Sequence, residues 1–388
     1  MRHAAPRKEP GLMTSQPISV SDLREKARKR LPRFVFDYLD GGAGDETALS
    51  RSRQAFRETC LRPRVLINSA TPASLSHRFL KRDWALPFGI APVGLPGLVW
   101  PGADSAFAAA AEAAGAPFVT ATPATAKLES MRKAAPSSAM FQLYVGASTE
   151  ITEDLIARAE AAGYESLVVT ADVARPGRRL RDLRNGFGLP LTYTPRLLAD
   201  LVRHPVWSLA TARSGMPLLA NLADYARPGA GAETLAQLMS RQSSGRLDWQ
   251  EFSRIRQRWS GALVLKGVLD PEDAMRARDA GADAVQISSH GGRQLDGAPA
   301  PLDALRKIRD IMPKDYPLAL DGGVRTGEDI LKALEAGADF VFLGRPFLYA
   351  IAALGPRGPG ALFGMLAQEL ESAMAQTGRR SISEMRAG

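Results

Sequence analysis

Hydrophobic and polar positions repeat along the chain as a helix pattern followed by a strand pattern. Four similar phrases carry this order: AEAAGAPFVTAT from position 111, AEAAGYESLVVTAD from 159, ARDAGADAVQISSH from 277 and ALEAGADFVFLGR from 333. Each phrase predicts the end of an alanine-rich amphipathic helix, a glycine C-cap and a short apolar strand. Strands that are apolar on both faces and alternate with helices are typical of a buried parallel sheet.

Further apolar runs extend this pattern to eight predicted strands. Eight βα units in series predict an α/β fold of the (β/α)8 TIM-barrel type. The alternative is a doubly wound sheet, but the sequence contains neither G-x-G-x-x-G nor G-x-x-x-x-G-K-[ST], the phosphate-binding motifs of such sheets. The predicted strands are Pro87–Ala91, Pro117–Ala121, Ala139–Tyr144, Ser166–Thr170, Ala262–Lys266, Ala284–Ser288, Pro317–Asp321 and Phe340–Gly344.

The barrel is expected to occupy most of the chain. Residues 1–80 are interpreted as an N-terminal tail with a helical lead-in, 81–375 as the barrel, and 376–388 as a C-terminal tail. The long gap after the fourth strand predicts an insertion at about 175–255. The first residues are basic and proline-rich without an apolar stretch, unlike a secretory signal. Residues 84–103 carry no charge, but their prolines and glycines oppose a membrane-spanning helix.

Composition and charge narrow the possible chemistry. The chain has 388 residues, of which 45% are hydrophobic, and a formal net charge of +9. Its single cysteine, Cys60, excludes internal disulfides and cysteine-cluster metal sites, and we expect no metal. The basic charge alone suggests nucleic-acid binding, but no zinc-finger spacing, RNA-recognition motif or helix-turn-helix pattern accompanies it. We therefore expect no nucleic-acid partner.

Polar side chains follow several apolar strands at the point where each is predicted to end. In TIM barrels the active site lies at these carboxyl ends. A polar group that ends a buried strand costs desolvation free energy unless it has a partner or a ligand. The strand ends therefore predict a binding site. Its candidate residues are Pro92, Val93, Gly94, Thr122, Gln142, Tyr144, Thr170, Asp172, Lys266, Ser288, His290, Arg293, Asp321, Gly323, Arg325, Gly344 and Arg345.

Three of these strand ends suggest particular chemistry. The glycines and arginines after the last two strands predict a phosphate site, although the glycines could instead serve tight turns. Lys266 is interpreted as a Schiff-base lysine, a fixed positive charge or a structural ion-pair partner. His290, with Asp172 as an orienting carboxylate and Arg293 as a cation, suits proton abstraction from an anionic substrate.

Long segments resemble the FMN-dependent L-2-hydroxy acid oxidase/dehydrogenase family. They are VFDYLDGGAGDE from 35, FQLYV from 141, LKGVLDPEDA from 265, SSHGGRQLDG from 288, LDGGVRTGEDILKALEAGAD from 320 and LGRPFLYA from 343. The resemblance covers nearly the whole chain and is nearest to the mandelate and bacterial lactate dehydrogenases. It implies oxidation of an L-2-hydroxy acid to the 2-oxo acid by FMN bound at the top of the barrel.

The resemblance also implies a role for each candidate residue. The FMN phosphate would lie on Gly323, Arg325, Gly344 and Arg345. The ring and ribityl chain would lie among Pro92, Val93, Gly94, Thr122, Gln142, Thr170, Ser288 and Asp321, with Lys266 near flavin N1 as an electrostatic group. His290 would be the base and Asp172 would stabilise its imidazolium. Arg179 and Arg293 would bind the substrate carboxylate, and Tyr38 and Tyr144 the carboxylate or hydroxyl.

Some residues depart from the family pattern or point to a branch of it. Ser289 stands where the family has asparagine, and Pro123 lies within the flavin-contacting segment, which weakens the assignments around His290 and Thr122. Gly94 resembles the dehydrogenase branch, in which oxygen is a poor acceptor. The substrate is expected to be mandelate-like or otherwise bulky. The alternatives are an L-lactate dehydrogenase, an oxidase that makes hydrogen peroxide, and a peptide-derived substrate.

The composition of the insertion bears on the electron acceptor and on membrane contact. The segment between Arg175 and Gly215 contains eight arginines and only two aspartates, interspersed with leucine, valine and tryptophan. A basic and apolar segment fits contact with a membrane surface, here at about 190–222, and the resemblance implies a quinone acceptor. A mobile lid or an oligomer contact is the alternative. We expect a homotetramer that is cytoplasmic or peripheral on the inner face of the cell membrane.

Overall fold

The computed structural model describes residues 17–188, 193–225 and 245–386, and its central element is a closed barrel of eight parallel strands. The strands follow one another around the barrel in chain order and the last pairs with the first, which confirms the predicted TIM barrel. Their bounds agree with the predicted strands to within two residues. They are β3 Phe88–Ile90, β4 Phe118–Ala121, β5 Ala139–Leu143, β6 Ser166–Thr170, β7 Ala262–Val268, β8 Ala284–Ile287, β9 Leu318–Asp321 and β10 Phe340–Leu343.

The strands are buried on both faces because two separate apolar clusters enclose them. One fills the barrel interior with side chains such as Val119, Met140, Val264 and Phe342. The other lies between the strands and the surrounding helices. These helices are Ala103–Ala114, Leu128–Ala134, Thr149–Ala161, Trp249–Arg258, Pro271–Asp279, Pro301–Ile311, Gly327–Glu335, Arg345–Leu354 and Gly358–Thr377, with a short helix Pro96–Val99 after β3.

The glycines of the repeated phrase end their helices as predicted. Gly115, Gly163, Gly281 and Gly337 have φ values of 60°, 82°, 90° and 105°, in the region that side chains disfavour. At Gly337 a Cβ atom would also meet Arg309 Cγ at 2.6 Å. The positive φ turns the chain back toward the barrel, so that each helix leads into the next strand.

The lead-in contains the helices Val20–Arg30, Arg33–Asp40 and Thr47–Glu58, and it ends in a hairpin that was not predicted. Strands β1, His77–Phe79, and β2, Arg82–Trp84, pair antiparallel. Phe79 stacks on Phe340, the first residue of β10, with ring centroids 4.9 Å apart. The hairpin therefore closes the amino-terminal end of the barrel, and the predicted boundary at 80/81 falls inside its turn. Residues 1–16 of the predicted tail lie outside the described residues.

The C-terminal segment, interpreted from the sequence as a tail from residue 376, packs against the rest of the protein. The last long helix continues to Thr377, and Ser381 then pairs with Ser74 in a parallel bridge. Ile382 is 2% exposed and belongs to the main core. A single apolar residue in a short polar segment gives too little periodicity to reveal this packing.

The insertion after β6 is helical where the structure describes it. Its helices are Leu180–Arg184, Pro195–Arg203 and Pro205–Ser214, followed by a 3-10 turn at Ala223–Tyr225. Residues 189–192 and 226–244 of the predicted insertion lie outside the described residues. Within the described ranges, we find no helix with the length and apolar character needed to cross a membrane.

Candidate active site

A cavity opens at the carboxyl ends of the barrel strands, where TIM barrels carry their active sites. Strand ends and the lead-in helix together form its wall. The structure brings fourteen of the predicted residues to this wall. They are Tyr38, Pro92, Val93, Gly94, Tyr144, Thr170, Lys266, His290, Arg293, Asp321, Gly323, Arg325, Gly344 and Arg345.

His290 is held at the cavity by an unusual backbone turn after β8. Its φ is 54°, and Gly291 and Gly292 follow at 63° and 70°. A Cβ atom at Gly291 would meet Arg345 Nη1 at 2.6 Å, and one at Gly292 would meet the backbone nitrogen of Leu49 at 2.7 Å. Non-glycine residues rarely adopt this conformation, and such strain is concentrated at functional sites.

The imidazole of His290 lies between a carboxylate and a phenol. Nδ1 is 2.9 Å from Asp172 Oδ1, and Nε2 is 3.2 Å from the hydroxyl oxygen of Tyr144. A carboxylate accepts the Nδ1 proton, which leaves the Nε2 lone pair directed toward the cavity side. This is the arrangement expected of a general base.

The charges around His290 support this assignment. Burial alone would raise the pKa of Asp172, but its interactions with His290, with the positive charge of Lys266 and with the backbone outweigh burial and lower that pKa. Asp172 therefore stays ionised at neutral pH. Burial and the nearby Asp172 raise the pKa of Tyr144 far above its usual range, so its phenol stays protonated. A Cβ atom at Gly267 would meet Asp172 Cγ at 2.6 Å, so only glycine allows this approach.

Lys266 belongs to a buried polar cluster beneath the cavity. Its Nζ donates to Ser288 Oγ at 3.0 Å and lies 3.3 Å from Asp321 Oδ2. Ser288 Oγ in turn donates to Asp321 Oδ1 at 2.7 Å and accepts from the backbone nitrogen of His290 at 2.9 Å. The predicted ion-pair role of Lys266 is therefore present, and its ammonium group also lines the cavity. This arrangement fits a fixed positive charge.

Two arginines at the cavity hold the lead-in in place. Arg293 Nη1 donates to the carbonyl oxygens of Tyr38, at 2.6 Å, and Gly41, at 3.0 Å. Arg345 donates to the carbonyls of Leu39, Gly41 and Gly291. Burial lowers the pKa of Arg345 to about 10, which still leaves it charged at neutral pH. Both guanidinium groups thus carry out structural hydrogen bonding in addition to lining the site.

Five predicted residues lie near the cavity but not in its wall. Arg179 donates to Asp182 at 2.6 Å, with its guanidinium 5.9 Å from the ring of Tyr38. Thr122 donates to the carbonyl of Gln142, whose amide donates to Thr170 at 3.0 Å. Asp172 and Ser288 contact His290 but do not line the cavity themselves. These side chains position the residues that line the cavity.

Several apolar residues in the wall were not predicted. Leu39, Ala91, Phe342 and Leu348 line the cavity together with the predicted polar groups. Their sequence context resembles that of ordinary core residues, so no pattern distinguishes them. They provide a surface on which a flat apolar ring can pack.

The residues present fit FMN, whose phosphate is anionic and whose ring is flat. Gly322 and Gly323, with φ of 100° and 89°, present bare backbone beside the cavity, as phosphate sites require. Arg325 and Arg345 add positive charge to the cavity wall. Lys266 lines the same cavity, beside the polar groups of Ser288 and Asp321.

Comparison with known proteins identifies the family. The model of FMN-dependent dehydrogenases matches residues 27–388. (S)-Mandelate dehydrogenase of Pseudomonas putida is 38% identical over 373 residues, which cover 96% of this chain and 93% of that protein. L-Lactate dehydrogenase of Caulobacter vibrioides is 39% identical over 368 residues, which cover 95% and 96%.

A solved structure agrees with these relatives. The crystal structure of (S)-mandelate dehydrogenase, described as a monotopic membrane protein, matches with a TM-score of 0.92 and 38% identity, covering 96% of this chain and 98% of that one. The barrel, the cavity and the sequence matches lead to one conclusion. The chain belongs to the FMN-dependent dehydrogenase family, and its cofactor is FMN.

Proposed function

We propose that the protein oxidises an L-(S)-2-hydroxy acid to the 2-oxo acid. The observation that carries this proposal is His290, which lies between Asp172 and Tyr144 at the wall of a cavity lined by cations. When bound, FMN supplies the two-electron acceptor for this chemistry. The relatives named for mandelate and lactate oxidation support the same substrate class.

Different side chains bind the substrate and transfer its proton. His290 Nε2 takes the substrate proton, and Asp172, already ionised, stabilises the imidazolium that forms. Tyr144 donates its phenolic hydrogen to the substrate oxygen. Arg293 and Arg179 bind the substrate carboxylate through the guanidinium nitrogens that their structural partners leave available.

Binding of FMN uses a second set of residues. Gly323, Arg325, Gly344 and Arg345 would hold the phosphate, and Lys266 would supply a positive charge to the ring. Pro92, Val93, Gly94 and Thr170 would line the ring and ribityl chain, supported by Thr122, Gln142, Ser288 and Asp321.

We favour a bulky, mandelate-like substrate. Aromatic side chains adjoin the cavity on the side of Tyr38: Phe187 lies 5.1 Å from its ring and 5.8 Å from that of Phe34. Aromatic rings such as these also pair favourably with the ring of an aromatic substrate. L-Lactate is the alternative, supported by the lactate dehydrogenases that match equally well.

The role of His290 is tested by rapid anaerobic mixing of the FMN-loaded protein with (S)-mandelate and with L-lactate. His290→Ala is expected to retain FMN and to lose about 10²–10⁴-fold in the rate of flavin bleaching, the usual contribution of a general base. His204→Ala is the matched control, because this histidine contacts Asp200 in the insertion and does not line the cavity. A near-normal bleaching rate in His290→Ala would remove His290 from this role.

We further propose that the insertion binds a membrane surface. The helices Pro195–Arg203 and Pro205–Ser214 are fixed to the body on one side, where Trp207 Nε1 donates to the carbonyl of Leu98 at 2.9 Å. Their other side exposes large apolar residues beside arginines. These residues are Leu198, Val202, Val206 and Leu209, exposed by 50%, 78%, 53% and 56%.

This surface suits interfacial contact with anionic lipid. The monotopic relative supports peripheral association, and residues 190–192 of the predicted contact lie outside the described ones. We infer a cytoplasmic protein on the inner face of the cell membrane that passes electrons to a quinone. A homotetramer is expected and is measured by sedimentation.

Gly94 supports a dehydrogenase over an oxidase. A Cβ atom there would lie 3.2 Å from Pro123 Cγ and 3.7 Å from the hydroxyl of Tyr38, so a larger residue would crowd the cavity. We expect fast reduction of an artificial quinone and slow consumption of oxygen. Equal rates with both acceptors would favour the oxidase.

A further inference from the structure

Gln286 of β8 is a buried polar residue that the proposed function does not use. It follows Ala284 by two positions, so its side chain shares the inner face of the barrel with that residue. Gln286 is 0% exposed, and its Nε2 donates to Asp321 Oδ2 at 2.5 Å. Its Oε1 has no hydrogen-bond partner among the described residues. An unpaired buried carbonyl oxygen is unfavourable, so an apolar residue would suit a purely structural position better.

The partner of Gln286 is the carboxylate that also faces Lys266. Asp321 Oδ2 lies 3.3 Å from Lys266 Nζ, which is longer than its 2.5 Å contact with the amide of Gln286. Asp321 Oδ1 is occupied by the hydroxyl of Ser288. The amide must present Nε2, since Oε1 in that place would set two acceptors against each other.

We propose that Gln286 is a positioning residue that raises the midpoint potential of the bound FMN through Asp321 and Lys266. The amide dipole offsets part of the charge of Asp321, so more of the field of Lys266 reaches the cavity. A positive charge beside a flavin favours its reduced form, which carries the additional negative charge. This inference rests on the proposed placement of Lys266 beside FMN.

The test is the midpoint potential of the FMN-loaded protein, measured by equilibration with a reference dye. Gln286→Met keeps the side-chain volume and removes the amide. We expect the equilibrium constant for FMN reduction to fall about tenfold, which is about 30 mV for a two-electron couple. Thr120→Val is the matched control, because Thr120 is also buried, its Oγ1 lacks a partner among the described residues, and it does not contact Asp321.

Gln286→Asn is the second variant. It keeps a polar amide but is one methylene too short to reach Asp321, so its midpoint potential should also fall. This variant provides the test of Gln286 if Gln286→Met does not fold. Lys266→Met tests the placement of Lys266 beside FMN separately from the role of Gln286. A lowered potential in Lys266→Met together with an unchanged potential in the Gln286 variants would overturn the role of Gln286 alone. An unchanged potential in Lys266→Met would overturn the placement of Lys266 and, with it, this inference.

Discussion

Two adjacent serines next to His290 have opposite surroundings. Ser288 Oγ contacts Lys266, Asp321 and the backbone nitrogen of His290, so it joins the buried ion pair to the turn that carries His290. Ser289 Oγ is buried and has no hydrogen-bond partner among the described residues. The side-chain hydrogen bond to the backbone of His290 therefore comes from Ser288 and not from Ser289.

This contrast predicts different effects of the same substitution. Ser288→Ala should lower the free energy of unfolding by about 1–3 kcal/mol, because it leaves buried polar partners unsatisfied. Ser289→Ala should change it by about 0.5 kcal/mol or less. Urea unfolding of both FMN-loaded variants measures the difference, and equal losses would show that Ser289 makes a contact of similar strength.

At the scale of the residue, the sequence-based selection rested on polar side chains at the ends of apolar strands. His290, Lys266 and Asp321 stand out in this way, and all three line the cavity. The same reasoning could not separate wall residues from those behind them, as Thr122 shows, because side-chain direction at a strand end depends on a register of one residue. The role of Gln286 depends on a contact across two strands that no local pattern records.

At the scale of elements, one carboxylate connects the parts that cover the site. Asp40, at the end of the helix Arg33–Asp40, binds Arg24 of the first helix at 2.7 Å and Arg181 of the insertion at 2.9 Å. It also accepts from the hydroxyl of Tyr349, on the helix after β10, at 2.7 Å. Burial opposes the ionised form, but these hydrogen bonds outweigh burial and lower the pKa of Asp40 to about 2.

The lowered pKa predicts a pH-dependent loss in Asp40→Asn. Since the folded pKa of about 2 lies below the ordinary value of 3.8, ionised Asp40 stabilises the fold above that ordinary value. We expect a loss of about 2 kcal/mol at pH 7 that shrinks as pH falls from about 5 toward 2. Unfolding at pH 7 and at low pH measures it.

Asp83→Asn is the control for that measurement. Its partner Arg78 lies 3.5 Å away in an exposed pair, which should contribute less than about 1 kcal/mol. If Asp40→Asn lost the same free energy at every pH, its effect would come from packing and not from charge.

The elements that the sequence missed are short. The turn of the β1–β2 hairpin places Leu80 and Lys81 at φ of 50° and 63°, conformations that glycine or asparagine usually provides. Strands of three residues without a glycine turn show no recognisable signal. The barrel strands were found because each follows an amphipathic helix and a glycine, and this context repeats.

At the scale of the whole molecule, the insertion predicts how the protein meets lipid. Val202→Glu places a charge in the exposed apolar face of the insertion, where Val202 is 78% exposed. We expect about tenfold weaker co-sedimentation with vesicles of anionic lipid, the effect of losing one buried apolar side chain. Leu66→Glu is the control, because Leu66 is likewise an exposed apolar residue but lies in the lead-in. Equal losses in both variants would argue against a membrane contact through the insertion.

The central claim is that His290 and its neighbours, with FMN, oxidise an (S)-2-hydroxy acid. Its most direct test is the visible absorption of the purified protein during anaerobic titration with (S)-mandelate, (R)-mandelate, L-lactate and glycolate. We predict that the protein carries flavin, that (S)-mandelate bleaches it and that (R)-mandelate does not. Absence of bound flavin, or flavin that no 2-hydroxy acid bleaches, would contradict the account.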